Sequence, residues 1–165
     1  MNPMKRVGTG VAAGTLLAAS LLGMTSGTAT AQGPAAGSGL GEVRATVASV
    51  MGADVAAQGR QVDAKTIDYG GFTATRADKD AKGVNVKLTC RYGYLCMEVR
   101  GTVFNYYKCQ TWTVSNWYGT GPWINNQTSG TVARFYGKSG NQLWTSTAYS
   151  SGTADWAPVY SLRPC

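Results

Sequence analysis

Few side chains in this sequence could carry out chemistry. The 165 residues include no histidine, so the chain has no Ser-His-Asp or Cys-His pair and no imidazole base near neutral pH. The half after residue 90 holds two acidic side chains, Glu98 and Asp155. A glycosidase needs two carboxylates across a cleft, but both are also explained as surface partners of the surplus arginine and lysine. We therefore expect a non-catalytic protein, with a carbohydrate-active enzyme as the alternative.

The four cysteines are the other reactive groups. Cys90 and Cys96 would close a turn-sized loop through Gly93, which favours Cys90–Cys96 with Cys109–Cys165 among the three connectivities that four cysteines allow. The second bridge would tie down the chain end and contribute about 4 kcal/mol in the chain-entropy model. The alternative, a metal site of four thiolates, lacks paired C-x-x-C spacing.

The N-terminus has the pattern of an export signal. Lys5 and Arg6 precede an uncharged, mostly apolar stretch over residues 7–24, and Ala29 and Ala31 present small residues at alternating positions. This order predicts a secretory signal peptide over residues 1–31, removed after Ala31. The alternative is a transmembrane helix of borderline length. Export predicts an extracellular protein without membrane association after cleavage, and it favours disulfides over free thiols.

A polar run lies ahead of the predicted strand at residues 131–136. Asn125, Asn126 and Ser129 carry short side chains that can satisfy backbone groups in a tight arch or ligate a hard cation. We expect a structural arch first and a calcium site second. No other cofactor is indicated.

Aromatic residues are the candidate binding groups. Trp117, Tyr118 and Trp123 flank a Gly-Pro turn, and such side chains dominate interface hot spots. They predict an anchor for another extracellular protein, whereas stacking on a sugar is the alternative that would also use Glu98 and Asp155. The net charge of +7 fits contact with an anionic cell wall. Dispersed basic residues and export argue against nucleic acid.

The elements that would position these groups fall into two regions. Residues 32–83 hold two aromatic residues, while all five tryptophans follow residue 90. Within this N-terminal arm Val43, Val47, Val50 and Met51 share one helical stripe. Two interpretations stay open: a loosely ordered spacer, or an arm that orders on a partner or on its own domain and uses this stripe for binding.

Residues 84–165 have strand-like patterning throughout. Short runs rich in Val, Tyr, Phe, Trp and Thr are separated by Gly-containing turns about every ten residues, which is typical of a β-sandwich or small barrel. The predicted strands are residues 84–90, 95–100, 102–110, 131–136, 142–149 and 159–162. The fold class is therefore all-β, with a partly ordered N-terminal arm.

Three features in this domain resemble the secreted βγ-crystallin-like proteins of actinomycetes, which include a small peptidase-inhibitor family. They are the loop from Cys90 to Cys96 followed by Met97, the run from Asn125 to Gly130 before a strand, and the C-terminal Cys165. Over residues 88–165 the resemblance implies a Greek-key sandwich and inhibition of a metalloproteinase. In layout, the extension on a small disulfide-bonded domain is also similar to the adaptor subunits of streptomycete umbrella-shaped toxin particles, which implies a partner subunit in an extracellular complex.

Overall fold

The computed structural model describes residues 39–78 and 87–165. These residues form a mostly β fold with two antiparallel sheets, so the predicted fold class is confirmed at that level. The predicted signal peptide, residues 32–38 and residues 79–83 of the predicted arm lie outside the described residues, as does the first part of the strand predicted at residues 84–90. Residues 87–90 are described and have no regular secondary structure.

The described chain begins with two helices, α1 (Gly39–Met51) and α2 (Ala53–Ala57). Val43, Val47 and Val50 form the buried stripe of α1. Valine favours strands, so the helix depends on burying this stripe against the sheet rather than on intrinsic propensity. Gly52, with φ of 98° and ψ of 154°, adopts an extended positive-φ backbone that is open essentially to glycine alone, and this separates α1 from α2.

The larger sheet has seven antiparallel strands in the order β1-β2-β3-β5-β4-β7-β10. Their bounds are β1 Arg60–Gln61, β2 Thr66–Asp68, β3 Phe72–Arg76, β4 Tyr94–Val99, β5 Thr102–Tyr106, β7 Thr120–Asn126 and β10 Ser150–Asp155. Strands from the predicted arm and strands from the predicted β domain therefore belong to one sheet.

The smaller sheet has four antiparallel strands in the order β6-β11-β8-β9. Their bounds are β6 Trp112–Thr113, β8 Val132–Tyr136, β9 Gln142–Thr147 and β11 Ser161–Arg163. Strands β9 and β10 are consecutive in the chain, but they pair with different neighbours and lie at the edges of different sheets.

One hydrophobic core joins α1 and the two sheets. Val47 of α1, Phe104 of the larger sheet and Phe135 of the smaller sheet are all fully buried in it. The backbone amide of Ser115 donates to the carbonyl of Val50 at 2.8 Å, which fastens the end of α1 to the loop after β6. Of the two interpretations of the arm, ordering on its own domain fits these contacts. Described residues on both sides of the expected division at residues 83 and 84 contribute to this core.

Both predicted disulfides are present, Cys90–Cys96 and Cys109–Cys165. Their sequence separations are 6 and 56 residues, so the second bridge constrains far more chain in the unfolded state. Two disulfides fit an oxidising extracellular environment. Among the described helices, none has the length and apolarity needed to cross a bilayer.

Candidate partner-binding site

Strands β9 and β10 are edge strands of the smaller and the larger sheet. A cleft of about 350 Å³ lies between these edges. Its lining comes from β7, β9, β10 and the loop after β10: Trp123, Leu143, Trp144, Thr153, Ala154, Asp155 and Pro158. The volume is at the lower end for small-ligand sites and is suited to a side chain or a few atoms of a larger partner.

Trp123 reaches this cleft because of a glycine on the neighbouring strand. Gly152 lies opposite Trp123 in the β7–β10 ladder. A Cβ on Gly152 would lie 3.0 to 3.2 Å from three atoms of the Trp123 indole, which is tighter than nearly all real contacts. The missing side chain at position 152 therefore leaves room for the indole to lie across the edge strand.

A second tryptophan forms the facing wall of the cleft. Trp144 on β9 stacks on the buried ring of Phe135, with centroids 3.7 Å apart and planes at 11°. The ring centroids of Trp123 and Trp144 are 5.3 Å apart with planes at 41°. Since Phe135 backs one indole and the β10 backbone backs the other, both rings are held in place before any partner arrives.

Asp155 supplies the only charge among the residues that line the cleft. Its Oδ1 accepts a hydrogen bond from the backbone amide of Ala157 at 3.1 Å. No lysine or arginine within residues 39–78 and 87–165 lies within ion-pair distance of this carboxylate. The cleft therefore has aromatic walls and one negatively charged side chain, Asp155, in its lining.

Strand β10 leaves one of its backbone edges open. It pairs with β7, and no other described strand pairs with it. Its residues Ser150 to Ala154 are small and uncharged. Lysine, proline or a bulge commonly protects such an edge, and none occurs within β10. An extended segment of another chain could therefore add to the sheet here.

The three aromatic anchors predicted from the sequence lie in different environments. Trp123 is half-buried and lines the cleft. Trp117 is only 3% exposed and packs edge-on against Trp156, which leaves little of its indole accessible to a partner. Tyr118 is exposed under the guanidinium of Arg100, 4.6 Å from the ring centroid, and it does not line the cleft.

The helical stripe predicted to bind a partner is also buried. Val43, Val47 and Val50 are at most 1% exposed. Met51 is half-buried, and its sulfur lies 4.0 Å from the buried Tyr106 hydroxyl. This stripe is occupied by the protein's own core, so contact with a partner would require α1 to detach.

The asparagines of the predicted arch bond to backbone carbonyls, and Asn125 links β7 of the larger sheet to β9 of the smaller sheet. The buried Asn125 side chain donates from Nδ2 to the carbonyl of Ser146 at 2.7 Å and of Thr131 at 3.4 Å, and its Oδ1 accepts from Gln127 at 3.0 Å. Asn126 donates to the carbonyl of Cys90 at 2.9 Å. These contacts use the side chains as a structural arch.

The calcium interpretation gains no support from the same region. Asn125 Oδ1 already accepts from Gln127, and Ser129 is exposed. Within the described parts of the chain, no three carboxylate or thiol side chains lie together as a metal site would need.

The two candidate catalytic carboxylates are separated by role. Glu98 is 8% exposed, and its Oε1 accepts from the backbone amide of Gly101 at 2.6 Å, which braces the β4–β5 turn. A Cβ on Gly121 would clash with the Glu98 carbonyl and lie 2.8 Å from Glu98 Oε2. Glu98 is therefore enclosed by β7, and only Asp155 of this pair borders the cleft.

A larger cavity of about 530 Å³ lies between α1 and the β4–β5 turn. Its charged side chains interact with neighbouring groups. Arg76 forms an ion pair with Glu42 at 3.3 Å, and Arg100 donates to Ser49 at 2.8 Å. These contacts are typical of a solvated structural cavity, so the β9–β10 cleft is the stronger candidate site.

A hydrogen bond between Tyr107 and Asp68, near the protein surface, accompanies a shift in the pKa of each group. The Tyr107 hydroxyl donates to Asp68 Oδ1 at 2.7 Å, and the Gly70 amide donates to the same oxygen at 3.0 Å. Partial burial opposes ionisation of Asp68, but these hydrogen bonds and Arg60 together lower its pKa. Desolvation, followed by the Asp68 contact, raises the pKa of Tyr107 to about 12.

Sequence reasoning missed Leu143, Trp144 and Pro158 as site residues. The strand predicted at residues 142–149 includes two of them, but strand periodicity does not say that β9 is an edge. Comparison with protein-family models, curated proteins and solved structures finds no match to this chain.

Proposed function

We propose that this chain is a secreted, non-catalytic protein-binding domain that holds its partner along β10 and in the adjoining aromatic cleft. The observation that carries the proposal is the position of Trp123, whose indole lies against Gly152 of β10. Among the described strands, β10 pairs only with β7, so its other edge is open. Backbone pairing at such an edge gives affinity, and a neighbouring pocket gives specificity. Rigid aromatic anchors add affinity at low entropic cost.

The partner is another extracellular protein, either a peptidase or a subunit of an extracellular complex. The resemblance to small peptidase inhibitors favours the first, and the layout similar to toxin-particle adaptors favours the second. Titration against secreted metalloproteinases separates them. Loss of peptidase activity at micromolar protein supports inhibition, and full activity at that concentration leaves the adaptor role.

The decisive test of the binding surface uses two matched substitutions. Thr153→Lys places a charge on the open edge of β10, and Thr113→Lys places the same charge on β6, an exposed edge of the other sheet. Purified protein carrying each change is used to capture partners from culture supernatant. We expect Thr153→Lys to abolish capture of a protein that the wild type and Thr113→Lys both retain. Equal capture by all three overturns the proposed surface.

Sugar binding is a second candidate because two tilted indoles border an open cleft beside a carboxylate. Hydrolysis is less favoured than binding, since Glu98 does not line that cleft. Soluble cell-wall oligosaccharides that quench tryptophan fluorescence in the wild type, but not in Trp123→Ala, would support it. Cleavage of such sugars that is lost in Asp155→Ala would support an enzyme.

We also propose that the fold is a βγ-crystallin-like Greek key. The bridge Cys90–Cys96 and the arch of Asn125 between β7 and β8 support this assignment. An experimentally determined strand order that cannot be superposed on the two Greek-key motifs of that family would overturn it.

A further inference from the structure

We infer that the cleft between β9 and β10 accepts a lysine or arginine side chain from the segment that pairs with β10. This inference rests on the proposed function, and it specifies the chemistry of the partner. It follows from the lining of the cleft, from the charge of Asp155 and from the open edge beside it.

The ring faces are the first argument. Trp123 and Trp144 lie 5.3 Å apart at 41°, so the cleft has two indole walls rather than one flat platform. The face of an indole carries negative electrostatic potential and is the strongest cation acceptor among the aromatic side chains. The same chain already holds such a contact elsewhere, with the Arg100 guanidinium 4.6 Å from the centre of the Tyr118 ring.

The carboxylate is the second argument. Asp155 borders the cleft, and within the described residues no basic side chain pairs with it. The backbone amide of Ala157 donates to Asp155 Oδ1, which leaves Oδ2 for a ligand. An anionic occupant would meet this charge and two electron-rich ring faces, so both features favour a cation.

The small number of polar side chains is the third argument. Besides Asp155 and the indole N–H groups, Thr153 is the one polar side chain that lines the cleft. A sugar presents many hydroxyl groups that need partners when buried. A lysine or arginine instead combines a long aliphatic stem with one charged head, which matches the apolar walls of Leu143, Ala154 and Pro158 ending at a carboxylate.

The overall charge of the chain determines how this contact acts. The full sequence has a net charge of +7, and loss of Lys5 and Arg6 with the predicted signal peptide leaves 13 basic and 8 acidic groups, a net charge of +5, so the exported protein repels cationic partners at long range. The cleft therefore acts as a short-range selector after the strand has paired. This predicts a preference expressed in the dissociation rate, which separates it from electrostatic steering of the association rate.

The test uses capped synthetic pentapeptides with the sequence Thr-Val-X-Val-Thr, where X is lysine, arginine, norleucine or glutamate. Norleucine keeps the aliphatic stem and lacks the charge. Binding to the full exported protein is measured by calorimetry and by tryptophan fluorescence. We expect the lysine and arginine peptides to bind about tenfold more tightly than the norleucine peptide, with the glutamate peptide weakest.

Asp155→Asn should remove most of this preference, because it should weaken the lysine and arginine peptides far more than the norleucine peptide. Asp54→Asn, at an exposed acid on α2, is the matched control and should keep the full preference. Circular dichroism of both variants checks that they are folded.

Equal binding of the lysine and norleucine peptides to the wild type overturns the inference but leaves strand pairing at β10 intact. Binding of cell-wall oligosaccharides with no measurable binding of any peptide overturns the inference in favour of a sugar site. The proposed function is tested by a separate experiment, the capture of partners by Thr153→Lys and Thr113→Lys, and it fails if both variants capture the partner equally well.

Discussion

Gly152 lies directly opposite Trp123 in the ladder between β7 and β10, and the indole lies only 3.0 to 3.2 Å from where a Cβ at position 152 would stand. This one relationship connects the edge strand to the aromatic cleft. It also explains why β10, which has little apolar character of its own, belongs beside a tryptophan-bearing strand.

Replacing Gly152 with valine should displace the Trp123 indole. We expect partner binding to fall at least tenfold, while the free energy of unfolding falls by about 1 kcal/mol because only an edge contact is overpacked. Tryptophan fluorescence and urea denaturation measure the two effects. Ser151→Val at the next position is the control and should leave the indole emission unchanged. Unaltered emission and binding in Gly152→Val would show that this glycine does not seat the ring.

Truncating Val47 to alanine tests whether the N-terminal helix is part of the fold. Val47 is fully buried, so losing two methyl groups and leaving a cavity should lower the free energy of unfolding by about 2 kcal/mol. Urea denaturation should still show a single transition. Ala45→Ser, at an exposed position on the same helix, should cost less than about 1 kcal/mol. An unchanged midpoint for Val47→Ala would mean that the helix packs only loosely.

Changing Asn125 to aspartate distinguishes the structural arch from a calcium site. The substitution removes the Nδ2 donor to Ser146 and Thr131 and buries an unpaired charge, so we expect a loss of about 3 kcal/mol in unfolding free energy. Ser129→Ala at the exposed end of the arch should change stability by under about 0.5 kcal/mol. Thermal melts with and without calcium provide the measurement. If calcium restores the stability of Asn125→Asp, the site is a cation site after all.

The contact between Asp68 and Tyr107 predicts a specific pH dependence. The folded-state pKa of Asp68 lies below the unfolded value of about 3.9, so its contribution to stability is present above that pH and is lost as the pH falls through the folded value. The pKa of Tyr107 is raised to about 12 against about 10 when unfolded, so its contribution is present below pH 10 and is lost as the pH rises towards 12.

Tyr107→Phe removes the hydroxyl from this pair. The pKa of Asp68, followed by carboxyl-carbon NMR, should then rise towards its unfolded value, and the alkaline loss of stability between pH 10 and 12 should shrink. Tyr92→Phe, at another exposed tyrosine, is the control and should leave Asp68 unchanged. An unshifted Asp68 pKa in Tyr107→Phe would show that the hydrogen bond does not persist in solution.

The sequence predicted several strands from their composition. The predictions at residues 95–100, 102–110, 131–136 and 142–149 correspond to β4, β5, β8 and β9, because β-branched and aromatic residues are concentrated there between Gly-containing turns. Buried and half-buried side chains alternate in β5 and β8, whereas β4 is buried from Leu95 to Val99. The disulfide pairing also followed from local spacing and is confirmed.

Strands β7 and β10 could not be predicted in the same way. Gly121 and Pro122 indicate a turn, yet both lie within β7, where Pro122 pairs with Thr153. Ser151 and Gly152 also indicate a turn and instead form part of β10. Both strands form because they pair with strands that are distant in the sequence, and local β-propensity carries no information about such pairing.

The burial of individual tryptophans could not be predicted from the sequence either. Trp117 and Trp123 are six residues apart in similar surroundings, but one packs under Trp156 and the other lies over Gly152. Trp117 precedes β7 and packs into the core against Phe104 and Trp156, whereas the register of β7 against β10 places Trp123 opposite Gly152. The candidate site therefore forms through the pairing of β7 with β10, and no local sequence motif marks it.

Amide hydrogen exchange of β10 tests the central claim most directly. In the free protein the outward-facing amides of residues 150–155 should exchange readily, because β10 has one described neighbour. On addition of the captured partner these amides should become protected, while those of β6 remain as they were. Protection confined to β6 or to α1, with β10 unchanged, would contradict strand addition beside the Trp123 cleft.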